Sequence, residues 1–309
     1  MSAQNGMCEK NSMALAAELG HYGPRRMRRG LPMMRASRLL ILGLAFATLG
    51  MGPAPAMADD PGYVKLRALI DGPQRSERNR VRDPYRHPLQ TLEFFGLKDN
   101  MRVVEIWPGA NGYWLEILAP YLKDSGTYYA AGPEKTTKNE ELQHDIAGLA
   151  AKITNDSTVY GKVVVTEFAG DKYDIAPPGS ADMVLTFRNL HNWVKNGEAD
   201  AALRAFHKVL KPGGVLGIEG HRGRNDQPQD PQALSGYLRE DFAIALVEKA
   251  GFKLVEKSEV NANPKDTKDY PEGVWTLPPT YRLKDQDRAK YAAIGESDRF
   301  TLKFVKVAP

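Results

Sequence analysis

The chain has 309 residues and a hydrophobic content of 42%, enough for one large domain or two small ones with a real core. Residues 1–58 carry seven of its 42 Lys and Arg but only two of its 38 Asp and Glu. The formal charge of +4 therefore belongs to this segment, and the nearly neutral remainder gives no argument for a nucleic-acid partner. The only cysteine is Cys8, which excludes disulfides and cysteine-based metal sites or nucleophiles from residues 59–309.

Residues 1–58 have the pattern of an export signal. A basic stretch over 25–38 precedes an apolar run over 39–52, and Ala56 and Ala58 follow at the spacing that signal peptidase requires. The apolar run is shorter than the roughly 20 residues that cross a bilayer. We therefore predict a leader that is cleaved after Ala58, leaving a periplasmic or secreted protein without a stable membrane anchor.

Residues 59–95 are polar and rich in arginine, which predicts an N-terminal arm rather than part of the main domain. A short helix is expected over 64–70, then a loop with the sequence RDPYRHP, in which two prolines interrupt helix formation. A second helix is expected over 89–95, ending at Gly96.

From residue 96 onward strands and helices alternate, which predicts a parallel sheet with crossover helices. Strands are predicted over 101–106, 126–131, 162–168, 181–187, 215–219, 252–260 and 299–307, and helices over 113–122, 139–152, 198–210 and 240–250. A Pro-rich loop runs over 261–287. No linker-like stretch interrupts the alternation, so residues 96–309 are predicted to form one domain.

The first predicted strand runs into a glycine turn and a helix, with the sequence VVEIWPGANGYW. A strand, a glycine turn and a helix allow backbone amides to approach a ligand closely at a helix N-terminus. Gly109 and Gly112 can equally serve only to turn the chain. This motif by itself leaves both interpretations open.

Three further motifs follow at suitable intervals: the strand ADMVLTF running into FRNLHNW, a helix ending in KPGG, and the junction AGF. Together they resemble the class I S-adenosylmethionine-dependent methyltransferases. More narrowly, RHP, VEIWPG and FRNLHNW resemble a family of predicted exported methyltransferases, over residues 83–306. The resemblance implies a Rossmann-like α/β fold with a seven-stranded, mostly parallel sheet, the last strand antiparallel, and helices on both faces. It also implies that S-adenosyl-L-methionine binds at the carboxyl ends of strands one to four.

The resemblance also implies cofactor-binding roles for residues at these strand ends. Glu105 would hold the aminoacyl end of the cofactor, and Gly109, Ala110 and Gly112 would line its nucleoside side. Glu134 would bind the ribose, and Glu167 and Phe168 would contact the adenine. The sequence departs from the usual pattern twice. Trp107 replaces the first glycine of E-x-G-x-G, and Glu134 lies beyond Pro133 instead of closing the second strand.

FRNLHNW lies where many methyltransferases have catalytic groups. Methyl transfer needs a nucleophile freed of its proton, which a histidine can take up near neutral pH, and an indole can flank the cationic sulfonium. We predict His191 and Asn189 to be catalytic, with Arg188 and Trp193 as substrate binders. The alternative is that His191 and Trp193 pack the edge of the sheet.

Three other residues are predicted to contact substrate. His87 in RHP follows a predicted element end, and Trp275 and Tyr281 belong to an apolar loop that is either a lid or a structural flap. His87, His191 and His221 have no metal-ligand spacing, so no metal is predicted. The sequence predicts a methyltransferase of the cell envelope with a small-molecule acceptor; the alternative is a non-catalytic binding protein on the same fold.

Overall fold

The computed structural model describes residues 60–169 and 172–307, and the predicted leader with its cleavage site lies outside them. The described residues belong to one unit that is built on a seven-stranded sheet. Its strands are β1 (Arg102–Ile106), β2 (Thr127–Gly132), β3 (Val164–Glu167), β4 (Ala181–Phe187), β5 (Leu210–His221), β6 (Phe252–Ser258) and β7 (Arg299–Lys306).

The strand order across the sheet is β3-β2-β1-β4-β5-β7-β6. The strands β1 to β5 pair in parallel, whereas β7 pairs antiparallel with both β5 and β6. The last strand is therefore the one that runs against the other six. The predicted Rossmann-like sheet, mostly parallel with an antiparallel last strand, is confirmed.

Helices cover both faces of this sheet. They are α1 (Pro61–Ile70), α2 (Glu77–Arg80), α3 (Asp83–Arg86), α4 (Pro88–Phe95), α5 (Leu115–Leu122), α6 (Glu140–Asn155), α7 (Ser157–Tyr160), α8 (Leu190–Asn196), α9 (Ala199–Val209), α10 (Glu240–Lys249) and α11 (Arg288–Ile294). Because successive side chains of a strand point to opposite faces, β1 divides its residues between two cores. Val103 packs with α1, α4 and α5, whereas Val104 and Ile106 pack with α8, α9 and α10.

The arm reaches the sheet through α4, whose ends follow from its sequence. Pro88 occupies the first turn, where the missing N–H costs nothing, and Gly96 ends the helix with φ 81°. Leu92 and Phe95 are fully buried against the sheet. The arm is thus part of the same packed structure and carries residues to the carboxyl edge of the strands.

Two local predictions were wrong in detail, and one segment had no predicted structure. The loop RDPYRHP contains the helical turn α3, because proline is compatible with a first helical turn. FRNLHNW, for which no element was predicted, leads into α8, Leu190–Asn196. The KPGG turn lies inside β5, where the pairing with β4 jumps from Leu210 to Val215 and the residues between them form a bulge.

The predicted loop over 261–287 contains a single 3-10 turn, Gly273–Thr276, and is followed by α11. None of the described helices combines the length and the apolarity that a membrane crossing requires.

Candidate active site

A cavity of about 580 Å³ lies over the carboxyl ends of the central strands, a size typical of small-molecule sites. Its walls come from the turn after β1, from α3 and α6, from the segment after β4, and from residues 274–282 and 296–297. It is lined by Arg82, Arg86, Trp107–Tyr113, Glu141, Asp145, Phe187–Asn189, His191, Asn192, Lys195, His221, Val274, Trp275, Pro278–Thr280, Arg282, Glu296 and Ser297. A second cavity, about 370 Å³, lies before β1 at the opposite edge of the sheet.

The glycine turn after β1 forms one wall of the cavity. Gly109 has φ 70°, and a Cβ added to it would meet only Asp145 Oδ1, 4.0 Å away. The backbone at Gly109 is therefore open to a ligand, and glycine permits this left-handed conformation without strain. The next residue is fixed by α6, because the N–H of Ala110 donates to Asp145 Oδ1 at 2.9 Å.

Trp107 also has a left-handed backbone, with φ 53°, at the position where the resemblance expects glycine. Its ring lines the cavity and packs edge-on against Phe168 and Trp193, at centroid distances of 6.3 and 6.1 Å. The indole N–H donates to the carbonyl oxygen of Phe168 at 3.0 Å. Trp107 thus closes the side of the cavity that faces the end of β3.

The segment after β4 supplies the opposite wall. The side-chain amide of Asn189 donates to the Ile106 carbonyl at 3.1 Å and to Thr186 Oγ1 at 3.3 Å, so it ties the ends of β1 and β4 together. His191 follows in α8, 5% exposed, with its ring 5.4 Å from the His221 ring and 5.9 Å from that of Trp275. The structure therefore brings Asn189, His191 and Trp275 to one cavity.

Both cavity histidines are held in their neutral form. Burial, with repulsion from Arg188 and Lys195, lowers the pKa of His191 to about 4. Burial also lowers the pKa of His221 well below its usual value, and its Nδ1 lies 2.6 Å from Ser297 Oγ. At neutral pH His191 has a free lone pair and can accept a proton.

Four arginines meet where β4 and β5 end and β7 begins. Arg82, Arg86, Arg188 and Arg299 are called the arginine cluster below. Glu296 is its hub and binds Arg82 Nε at 2.6 Å, Arg86 Nε at 3.2 Å and Arg299 Nη1 at 3.2 Å. These three guanidinium groups hold the pKa of Glu296 far below its usual range despite its burial.

The second carboxylate of the arginine cluster is Glu219 on β5. It lies 3.1 Å from Arg299 Nη1 and 3.8 Å from Arg188 Nε. Burial, together with repulsion from Arg86 and Arg82, lowers the pKa of Arg188. The guanidinium groups thus lie close enough to repel one another, and Arg188 lines the cavity.

Glu105, predicted to hold the cofactor's aminoacyl end, is 2% exposed and lies beneath the cavity instead of lining it. Tyr128 OH donates to its Oε2 at 2.5 Å. Burial raises the pKa of Glu105 to about 8, so the carboxyl group is protonated at neutral pH. Its observed contact is with the sheet, since it joins β1 to β2.

Four residues with predicted binding roles do not line this cavity. They are Glu134 for the ribose, Glu167 and Phe168 for the adenine, and Trp193 as a substrate binder. Glu134 accepts from Lys172 Nζ and Thr136 Oγ1, both at 2.7 Å, and Glu167 faces Lys135 and Lys172 at 3.7 and 3.8 Å. Phe168 and Trp193 are 2% and 1% exposed, in the core beside α9. Apolar burial explains both, because large aromatic rings gain most by leaving water.

His87 and Tyr281 also lie outside the cavity wall. His87 Nδ1 is 3.5 Å from Asn261 Oδ1, and Arg288 stacks 4.0 Å from the centre of the Tyr281 ring. Within residues 60–169 and 172–307, no three His, Cys, Asp or Glu side chains form a cluster that would hold a metal ion.

Sequence reasoning missed the residues that reach the cavity from distant parts of the chain. These are Arg82, Arg86, Glu141, Asp145, Arg282, Glu296 and Ser297. The RHP motif and the arginine-rich arm were a signal for Arg82 and Arg86. Nothing in the local pattern singled out Glu296, which becomes central only when the arm and the start of β7 meet.

Comparison with known proteins supports the fold assignment. A search of protein-family models gives no match to this chain, and neither does a search of curated proteins. Among solved structures, an S-adenosylmethionine-dependent methyltransferase from Aquifex aeolicus is 20% identical with a TM-score of 0.50, covering 79% of this chain and 98% of that one. The [4+2]-cyclase SpnF is 17% identical with a TM-score of 0.50, covering 80% of this chain and 94% of that one. The chain therefore has the class I methyltransferase fold.

Proposed function

We propose that this protein is an S-adenosylmethionine-dependent methyltransferase that acts on a small acceptor in the cell envelope. The observation that carries the proposal is the cavity itself. It combines the open backbone of Gly109 with a buried, neutral histidine, His191, at the carboxyl edge of a class I sheet. The fold alone does not choose a reaction, and SpnF, which shares it, is named a cyclase.

The residues of the cavity fit the amino-acid end of S-adenosylmethionine. Gly109 leaves room for close approach, and the carboxylates of Glu141 and Asp145 give this wall a negative charge that suits a cationic sulfonium and ammonium. When bound, the cofactor supplies an electrophilic methyl group. The glycine turn would hold it, and Asn189 fixes the distance between the ends of β1 and β4 beneath it.

His191 would act on the acceptor. It is neutral at physiological pH, so it can take the proton from an acceptor hydroxyl or amine as the nucleophile forms. Its low pKa also means that it returns the proton readily to solvent.

The second candidate is a non-catalytic binding protein on the same fold. Trp107 favours it, because its ring separates the cavity from Glu134, Glu167 and Phe168, the residues expected to hold ribose and adenine. A ligand confined to the observed cavity would lack the contacts that a nucleoside needs.

Calorimetry with S-adenosylmethionine and S-adenosylhomocysteine tests the proposal directly. Both should bind the folded protein with a stoichiometry of one. Native mass spectrometry of protein purified from its own compartment separates the two candidates, because a methyltransferase should carry an adenosine-containing ligand. Absence of heat with either compound, in protein whose circular dichroism and melting are intact, would remove the methyltransferase proposal. Envelope fractionation with intact-mass analysis tests export, for which an N-terminus near Asp59 is expected.

A further inference from the structure

The arginine cluster carries more positive charge than its partners neutralise. The ion pairs that its four guanidinium groups form within the described residues go to Glu219 and Glu296. Glu105 adds no negative charge, because its buried carboxyl group is protonated at neutral pH. Buried charges are stable only when they are paired. Two positive charges therefore remain for a counter-anion.

Four donors of the arginine cluster are buried without a hydrogen bond, and they are Arg82 Nη2, Arg86 Nη2, Arg188 Nε and Arg299 Nε. The first three belong to residues that line the 580 Å³ cavity, and Arg86 is only 1% exposed. A guanidinium group is a planar fork of N–H donors that matches carboxylate or phosphate oxygens. The unpaired donors on the cavity wall thus form a binding site for an anion.

This anion site adjoins the glycine turn at one end, where Arg86 stacks 4.4 Å from the centre of the Tyr113 ring, and extends from there along the edge of the sheet. Arg188 follows β4, its partner Glu219 belongs to β5, and Glu296 directly precedes β7, so the site covers the β4-β5-β7 part of the sheet. The glycine turn follows β1, and the carboxylates near it would repel an anion. His191 is three residues after Arg188 in the sequence and lines the same cavity.

We propose that the cavity binds a small ligand through an anionic group, a carboxylate or a phosphate, that is held by Arg82, Arg86 and Arg188. In the proposed reaction, on which this part of the assignment rests, the ligand is the methyl acceptor. Its charged end binds the arginines and its nucleophilic atom lies near His191. The acceptor class is therefore a small organic acid or a phosphorylated small molecule.

Calorimetric titration with inorganic phosphate and with acetate tests the anion site, using the protein expressed from its complete sequence. Arg82 is the residue to change, because its side chain is 17% exposed whereas Arg86 is buried. Arg82→Gln should weaken binding of the better probe by about tenfold or more, the value of a charged hydrogen bond. Arg78→Gln, an exposed arginine of the same arm, is the matched control and should leave the affinity unchanged.

The same titration is repeated with saturating S-adenosylhomocysteine. If the anion belongs to the acceptor, the Kd of the probe should change by less than about twofold. Competition between the two would assign the arginines to the carboxylate of the cofactor and overturn the acceptor assignment. Lack of binding of both probes to folded wild type, or equal affinities in Arg82→Gln and wild type, would overturn the anion site. Anion binding in a protein that ignores S-adenosylhomocysteine would leave the site standing and remove methyl transfer.

Discussion

Asp145 on α6 accepts a hydrogen bond from the backbone N–H of Ala110 at 2.9 Å, so a side chain 35 residues downstream fixes the shape of the glycine turn. No intrinsic preference of Pro108, Gly109 and Ala110 would hold this conformation, because glycine leaves the chain many alternatives. The open backbone at Gly109 is thus a tertiary product of α6 packing on the end of β1.

If this contact positions the turn, Asp145→Ala should weaken binding of S-adenosylhomocysteine by about 10- to 150-fold, the loss expected for one hydrogen bond to a charged group. Asp145→Asn keeps an acceptor oxygen and should lose less affinity than Asp145→Ala, since it removes only the charge near the ammonium group of the probe. Calorimetry of both variants measures this. Equal losses would indicate that the charge of Asp145 matters more than its hydrogen bond.

Gly109→Val should abolish cofactor binding, because the branched side chain enters the open space above the turn. The change also strains the backbone, since Gly109 has φ 70°. Gly213→Val is the matched control: Gly213 has φ 73°, has no atom within 4 Å of an added Cβ, and lies in the bulge of β5. We expect the two variants to lower the melting temperature by similar amounts, and only Gly109→Val to lose cofactor binding. If both variants still bind the cofactor, the glycine turn is not part of the site.

His191→Gln should leave the affinity for S-adenosylhomocysteine within about twofold of wild type and slow turnover by roughly 10²–10⁴-fold, the usual contribution of a general base. Until an acceptor is known, slow methyl transfer from S-adenosylmethionine to water or buffer nucleophiles, measured as the S-adenosylhomocysteine left behind, serves as the rate. Because the pKa of His191 is about 4, the wild-type rate should lose its dependence on this group above pH 5. An unchanged rate per folded molecule, with a lower melting temperature, would mean that His191 only packs the sheet edge.

His191 should also make stability depend on pH. Its folded pKa of about 4 lies below the usual histidine value of 6.5, so the unfolded chain binds the proton first as the pH falls through 6.5. From this group alone, the free energy of unfolding should drop by about 2 kcal/mol between pH 7 and pH 5. Urea unfolding at pH 7 and pH 5 measures this. The drop in the free energy of unfolding should be smaller in His191→Gln than in wild type, by about 2 kcal/mol. An identical drop in both proteins would contradict a buried neutral His191.

Glu105→Gln should stabilise the protein at neutral pH. The folded pKa of about 8 is above the usual glutamate value of 4.5, so the native state loses stability as the pH rises between these values. Glutamine has a similar shape, still accepts from Tyr128 OH and carries no charge. A gain of about 2–3 kcal/mol at pH 7, shrinking toward pH 5, is expected in denaturant unfolding. A loss at pH 7 would mean that Glu105 is ionised in the folded state.

The sheet was predictable from sequence because its strands are apolar runs bounded by glycine and proline, and such patterns are local. The position of His191 at the site followed from its place after the fourth strand. The side-chain environment did not follow. An ordinary histidine titrates near neutrality, and only burial beside Arg188 and Lys195 moves the pKa of His191 to about 4.

Long-range contacts account for the rest of what sequence reasoning missed. Glu296 and Arg82 are 214 residues apart, and their ion pair depends on how the arm crosses the start of β7. Trp193 illustrates the opposite case. Its position after β4 favoured a ligand contact, yet α8 turns the ring into the core against Phe168 and Phe206, at centroid distances of 5.3 and 5.5 Å.

The position of β7 between β5 and β6 has a consequence for biosynthesis. During translation β6 emerges first, but its pairing partner in the sheet is β7, the later strand. Until residue 306 has left the ribosome, β6 has no neighbour and the edge of β5 is open. Arg299, the first residue of β7, joins Glu219 and Glu296 in the same step. A nascent chain therefore acquires its last two strands and the arginine wall of its cavity together, as one late event.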